Sequence, residues 1–215
     1  MAFSHKMILR KKQGPLPASR HQERTDITRS RFLQAAEKIF ARDGFEAAKL
    51  EEIAAEAGYT RGAFYFNFDT KEDLFLAMLE REITTRIENV RKHVAKYQEP
   101  SQRLSALRDF WLDMCLDRRW SVLALEFKLF AVRHPEVKAR LAAMHRKLVA
   151  SGVEILQQIM NDVGRKLPVP AYAVGQALYA ASSGLTLEHM LDRTAMPEDA
   201  IRKIMQSLFD ALTAG

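Results

Sequence analysis

The chain reads as all-α, with about nine helices, and three observations carry that reading. Glycine and proline number only 9 and 7 in 215 residues, while Leu, Ala, Glu, Lys and Arg, which lose little on entering a helix, are plentiful. Apolar residues recur at spacings of three and four through most of the chain. No segment shows a strand's alternation of apolar and polar residues, and there is no internal repeat or low-complexity tract.

The elements follow in order. Residues 1–23 hold Gly14, Pro15, Pro17 and scattered basic residues without a period, and read as a disordered basic arm. From Thr25 a helical stripe develops at Phe32, Ala35, Ala36, Ile39 and Phe40, and Asp43-Gly44 ends it, with Gly44 suited to a left-handed cap. A short second helix runs from Leu50 to Ala57. Gly58-Tyr59-Thr60 is a turn, and Thr60 caps a short third helix from Arg61 to Phe66. Thr70-Lys71-Glu72-Asp73 resembles a capping box, with Asp where Glu or Gln is usual, and opens a long fourth helix toward Tyr97, with a break at Pro100.

Five more helices complete the chain. They span about Arg103 to Asp117, Trp120 to Arg133, Pro135 to Val163, Ala171 to Asp192, and Pro197 onward. Pro135 suits a first helical turn. Glu198 and Asp199 favour the positive end of the last helix dipole. The helix opened by Pro135 carries an inward stripe of Val137, Leu141, Met144, Leu148, Ile155 and Ile159, and the last helix carries Ile201, Ile204, Met205, Leu208, Phe209 and Leu212 at helical spacing.

Composition bounds the function. Hydrophobic residues make up 47% and charged residues 28%, an ordinary soluble balance. No apolar run reaches bilayer length and no signal peptide is evident, so a cytoplasmic protein without a membrane role is expected. The single cysteine, Cys115, excludes an intrachain disulfide and reads as a small apolar residue. The net charge is +6. Its basic excess is concentrated in residues 1–24, whereas residues 25–75 are slightly acidic. The arm reads as a solvated tail or as a segment adding phosphate or minor-groove contacts.

The informative stretch runs from Leu50 to Phe68. A helix-turn-helix needs a small residue where its helices cross, and Ala54 supplies it. It needs a residue tolerant of positive φ in the turn, and Gly58 stands four positions later. Phe64 is the apolar anchor on the second of the two helices, and Thr60 and Arg61 lie at the end that approaches base edges.

These residues resemble the TetR family of ligand-responsive transcriptional regulators. The family's run appears here as Ile53-Ala54, Ala57-Gly58-Tyr59-Thr60-Arg61-Gly62-Ala63-Phe64-Tyr65-Phe66-Asn67-Phe68 and Lys71, preceded by Ala35-Ala36, Phe40 and Gly44-Phe45. The resemblance implies a three-helix DNA-binding domain over 24–70 and a helical ligand-binding and dimerisation domain over 71–215. It implies that Thr60, Arg61, Gly62 and Ala63 face the major groove, that Tyr65 and Lys71 meet phosphate, and that Asn67, where His is common, meets phosphate or a base edge. Thr25 and Lys49 complete the candidate DNA contacts. Ala48-Lys49 departs from the family's usual Thr, which bears on the cap of the second helix. Tyr59 replaces a small aliphatic residue and is expected near the groove edge.

The side-chain chemistry agrees. Arg61 can donate to guanine O6 and N7 together, so it is the best candidate base reader. Gly62 lets the backbone approach DNA closely, and Tyr65 and Lys71 can position phosphate without specifying sequence. Phe64, Phe66 and Phe68 read as core. The resemblance further implies a homodimer through the last two helices, where Ala171, Ala173, Gly175, Ala177, Ala180 and Gly184 would permit close approach, and where the Ile201–Leu212 stripe offers an apolar face. It also implies an inducer pocket. Its candidate wall is Phe110, Trp111, Met114, Leu123, Phe127, Phe130, Met144 and Leu148, with His145, Gln176 and Tyr179 as polar anchors.

The expected function is therefore a dimeric repressor that binds a palindromic operator in double-stranded DNA and is released by a small apolar or amphipathic inducer. No cofactor or metal is expected. A constitutive architectural DNA binder and a helical enzyme are the competing readings. Against the enzyme stand the lack of a Glu-x-x-His pair, a Cys-x-x-Cys pair, a phosphate-binding glycine loop and a Gly-x-Ser-x-Gly element.

Overall fold

A computed structural model describes residues 20–214. Its nine helices, among the described residues, are α1 (Arg20–Ala47), α2 (Leu50–Glu56), α3 (Arg61–Asn67), α4 (Lys71–Val94), α5 (Pro100–Cys115), α6 (Arg118–Arg133), α7 (Pro135–Asp162), α8 (Ala171–Leu191) and α9 (Glu198–Thr213). The order and number of helices match the expectation, and the differences are at the ends. Helix α1 starts at Arg20, inside the span expected to be an arm, and residues 1–19 lie outside the described residues. Pro100, expected as a break, is the first residue of α5, where its missing N–H is no loss.

The caps explain several boundaries. Thr60 accepts from the Ala63 N–H at 3.3 Å and Thr70 from the Asp73 N–H at 3.0 Å. The Asp73 carboxylate is too short to complete the box on the backbone. It accepts instead from the Thr70 hydroxyl at 2.8 Å and from Arg140 of α7. Asp117 caps α6 through the Trp120 N–H. Helix α2 has no side-chain cap at Lys49.

Gly58 ends α2 in a Schellman arrangement: its N–H donates to Ala55 O at 3.0 Å and the Tyr59 N–H to Ala54 O at 2.9 Å. Its φ is +77°, and a Cβ there would meet nothing within 4 Å, so the backbone alone demands glycine. Gly44 breaks α1 differently. With φ +79° and ψ 170° it is not a left-handed cap but an extended conformation that glycine alone adopts readily.

The described residues bury two main apolar clusters, and the first crosses the domain boundary expected at residue 70. One cluster runs from Phe32, Ala36, Phe40 and Phe45 of α1 through Ile53 and Phe64 to Leu74, Phe75 and Met78 of α4, and on to Leu123, Phe127 and Ala131 of α6 and Val137 of α7. A second joins α4, α5, α7, α8 and α9 around Trp111, Leu156, Ile159, Val174, Ile201, Met205 and Phe209. The Ile201–Leu212 stripe therefore turns mostly inward, because α9 must cover α5 and α8 of its own subunit; only Ile204 of its large residues is exposed. The outward face of α8 is instead built of Ala173, Ala177, Ala180, Gly184, Leu187 and Leu191. No helix among the described residues is long and apolar enough to cross a membrane.

Replacing Gly58 with Ala should lower the unfolding free energy by about 1–2 kcal/mol, the cost of holding an L side chain at positive φ. Urea or thermal unfolding measures this, and because no atom crowds the site, a cost near zero would mean the turn had changed conformation.

Candidate nucleic-acid interface and ligand cavity

The helix-turn-helix is set by its buried side. Ala54 and Phe64 are buried at the α2–α3 crossing, as their residue types require. Phe64 and Phe68, one turn apart, pack edge-on against Phe32 of α1 at ring distances of 5.7 and 6.2 Å. Tyr59 is part of the same packing. Its ring stacks on Phe32 at 5.5 Å and its hydroxyl accepts from Thr28 at 3.3 Å, while the residue stays half-exposed. Phe66 corrects an expectation: it is 73% exposed and not core. At 100° per residue it cannot share the face of Phe64 and Phe68, a signal the sequence already contained.

The outward side of α3 carries Thr60, Arg61, Gly62, Tyr65 and Phe66, all exposed, with Ala63 half-buried. Arg61 is held on the surface. Its guanidinium lies 2.8 Å from Glu51 of α2 and donates to the Tyr65 hydroxyl at 3.2 Å. Gly62 has room for a side chain, since a Cβ would meet only Thr60 Oγ1 at 3.7 Å. Internal packing thus does not require glycine there.

Other candidates have structural engagements. The Asn67 amide donates to Ala63 O at 2.8 Å, its side-chain oxygen is buried without a partner, and its carbonyl accepts from Arg29. Lys71 donates to the carbonyls of Glu46 and Ala48 at 2.9 and 3.1 Å and sits over the Phe45 ring, and burial holds its pKa below the ordinary value. Two of its three protons therefore tie the end of α1 to α4. Lys49 is exposed before α2, and Thr25 is half-buried in the first turns of α1.

Between α4, α6, α7 and α8 lies a cavity of about 640 Å³. Of the residues expected in a pocket, Met114, Phe127, His145, Leu148, Gln176 and Tyr179 line it. Phe110 and Trp111 instead border a smaller cavity of about 110 Å³ toward α9, whose wall also includes Met114, Leu148 and Tyr179. Leu123 and Phe130 of α6 and Met144 of α7 pack in the core around the helix-turn-helix and line neither, because their faces turn toward that core.

The polar groups of the larger cavity were partly missed. Lys128, never singled out in the sequence, lines it, donates to Ser183 Oγ at 3.4 Å and lies 4.3 Å from the Tyr179 ring centre. Burial pulls its pKa below the ordinary value. His145 packs edge-on against Tyr179 at 4.2 Å; its Nε2 is buried without a partner, and burial together with Lys128 favours the neutral imidazole. Gln176 donates to the Tyr172 hydroxyl at 2.6 Å. Cys115 is buried, with its thiol pushed up to about 12 by desolvation, which suits a small apolar residue and not a nucleophile. Among the described residues, no group of three or more His, Cys, Asp and Glu could hold a metal ion.

Helix α6 joins cavity to helix-turn-helix. Phe127 lines the cavity and also stacks on Phe75 at 4.0 Å and packs edge-on against Phe45 at 4.9 Å. One residue earlier, Glu126 accepts from the Phe45 N–H at 3.0 Å, beside the Gly44 break. About two turns back, Arg119 donates to the Glu37 carbonyl at 2.9 Å and pairs with its carboxylate.

Comparison with known proteins agrees with this architecture. Residues 32–78 match the family model for bacterial regulatory proteins of the tetR family, and residues 100–214 match that for the C-terminal part of BetI-type transcriptional repressors. The chain is 30% identical over 115 residues to the HTH-type transcriptional activator FasR of Mycolicibacterium smegmatis, covering 54% of this chain and 52% of FasR. It is 28% identical over 157 residues to the HTH-type transcriptional repressor NicS of Pseudomonas putida, covering 72% of this chain and 66% of NicS. The matches thus span about half to two thirds of these relatives. The fold is similar to that of the transcriptional regulator FadR of Bacillus subtilis, solved in complex with stearoyl-CoA, with a TM-score of 0.67 at 15% identity over 86% of this chain and 98% of that one. With both of its halves matched by such models, the chain belongs to the TetR family of transcriptional regulators.

Proposed function

We propose that the chain is a dimeric transcriptional repressor that binds a palindromic operator through its helix-turn-helix and is released when a small apolar or amphipathic ligand enters the α4–α6–α7–α8 cavity. The observation that carries this reading is the outward face of α3. It presents a glycine that the fold does not need, between an arginine and a tyrosine with exposed donors. Such a face is worth little to a folded monomer and suits close approach to base edges.

The geometry of reading supports dimerisation. Seven residues of recognition helix address few base pairs, and a two-fold pair addresses two half-sites about a helical turn apart. The α8 face of small residues, with Ile204 of α9 beside it, is the surface suited to a close helical partner. Release follows from α6 and α4. Both supply cavity wall, through Phe127 and through Leu79 and Ile83, and both pack on α1. A ligand shifts the balance only if it binds the released arrangement more tightly than the DNA-bound one. Titrating ligand against operator complex tests this directly, and binding that leaves operator affinity untouched would refute release.

Three outcomes are expected in footprinting and binding assays. Gly62→Ala should raise thermal stability slightly, by up to about 1 kcal/mol, yet weaken operator binding; weakening without loss of stability separates a contact role from a folding role. Arg61→Ala should weaken binding roughly ten- to hundredfold and relax one operator position, whereas Glu51→Gln, which frees that guanidinium, should strengthen binding to DNA of any sequence. Ala177→Arg with Gly184→Arg, at sites open in the single chain, should leave helix content unchanged while sedimentation shows a monomer and operator affinity collapses.

A further inference from the structure

The charge of the cavity narrows the ligand. Its wall holds four basic side chains, Arg86, Lys128, Lys138 and Arg146, against one acid, Glu82. Glu82 is committed, since Arg86 donates to it at 2.5 Å and to Asp117 at 2.7 Å. Among the described residues, Lys128, Lys138 and Arg146 form no ion pair. Lys138 and Arg146 are exposed, so solvent satisfies them. Lys128 is different. Of its three protons, one has a protein acceptor, Ser183 Oγ, and its ammonium is otherwise set over the Tyr179 ring. Beside it His145 Nε2 is buried without a partner. A desolvated cation short of acceptors is costly, and an anion is the group that offsets the cost.

The aromatic faces argue the same way. A ligand cation is recognised by open aromatic faces. Here Lys128 already covers Tyr179, and Arg86 lies over Trp120, 5.9 Å from the ring centre. The protein's own cations hold the positions that a quaternary ammonium would need. The rest of the wall is apolar, and Met114, Leu148 and Tyr179 separate this cavity from the smaller one toward α9.

We propose that the cavity selects a small amphipathic carboxylate, with its anionic end on Lys128 and its apolar part against Met114 and Leu148. The inference rests on the ligand-release reading for its biological meaning but is tested without DNA. Calorimetry on the full chain compares octanoate, octanol and octyltrimethylammonium, which share a tail and differ in charge. Octanoate is expected to bind at least about tenfold more tightly than either. Lys128→Met should lower octanoate affinity by about tenfold or more and leave octanol within about twofold, which also shows that the cavity still folds. Lys128→Arg should keep the preference for octanoate. Equal or tighter binding of octyltrimethylammonium, an unchanged octanoate affinity in Lys128→Met, or no binding by any of the three would overturn the proposal. Octanoate that binds but never weakens the operator complex would overturn ligand release and leave the charge selection standing.

Discussion

Three phenylalanine rings hold α1, α4 and α6 to one another. Phe45 comes from the last turn of α1, Phe75 from the first turns of α4 and Phe127 from the middle of α6, with ring centres between 4.0 and 5.2 Å apart. All three are essentially inaccessible. Each buried ring contributes through lost water contact, and the offset and edge-on arrangements add roughly 0.5–1.5 kcal/mol per pair. The shape matters more than the sum. Close-packed aromatic side chains do not deform gradually, so a displacement of α6 is passed to α1 and α4 or resisted as a unit. The Glu126 bond to the Phe45 N–H and the Arg119 contacts to Glu37 fix the rotation of α6 about its axis on the same side. The buried cluster beneath the helix-turn-helix therefore extends into α6 and α7.

That core also explains the unusual backbone at Gly44. A helix running on through this position would carry Phe45 past the cluster. The glycine turns the chain so that Phe45 enters it, and a Cβ at Gly44 would come within 2.9 Å of the Glu126 carboxylate that receives the Phe45 N–H. Lys71 closes the same corner from α4 by satisfying the carbonyls of Glu46 and Ala48. Lys71, expected at DNA phosphate, thus holds the end of α1 against the start of α4.

Much of the fold was legible because it depends on local rules. Stripes at three- and four-residue spacing, Thr caps and a positive-φ glycine describe α1–α4 with little reference to the rest. What failed depends on the identity of distant neighbours. Helix α6 is apolar on two sides, so Leu123 and Phe130 could not be told from Phe127 until one side was seen against α1 and the other against the cavity. The stripe on α9 was visible, but its partner, α5 and α8 of the same subunit, was not. Lys128 was overlooked because a lysine in an amphipathic helix is ordinarily solvated; only burial beside Tyr179 and His145 singles it out. Phe66 was a simpler failure, since its angular position on α3 contradicted a core assignment from the start.

The pairing of Arg61 with Glu51 and Tyr65 bears on how such a protein travels along DNA. Any duplex offers phosphates, but only particular steps offer two acceptors spaced for a guanidinium. In the proposed DNA-reading role, an arginine already held by an internal carboxylate would gain little from stray phosphates and would stay folded back on nonspecific sequence. It would leave Glu51 only for a guanine edge that offers a better bidentate partner. On that reading Glu51 would act as a threshold on recognition, lowering residence on wrong sequence.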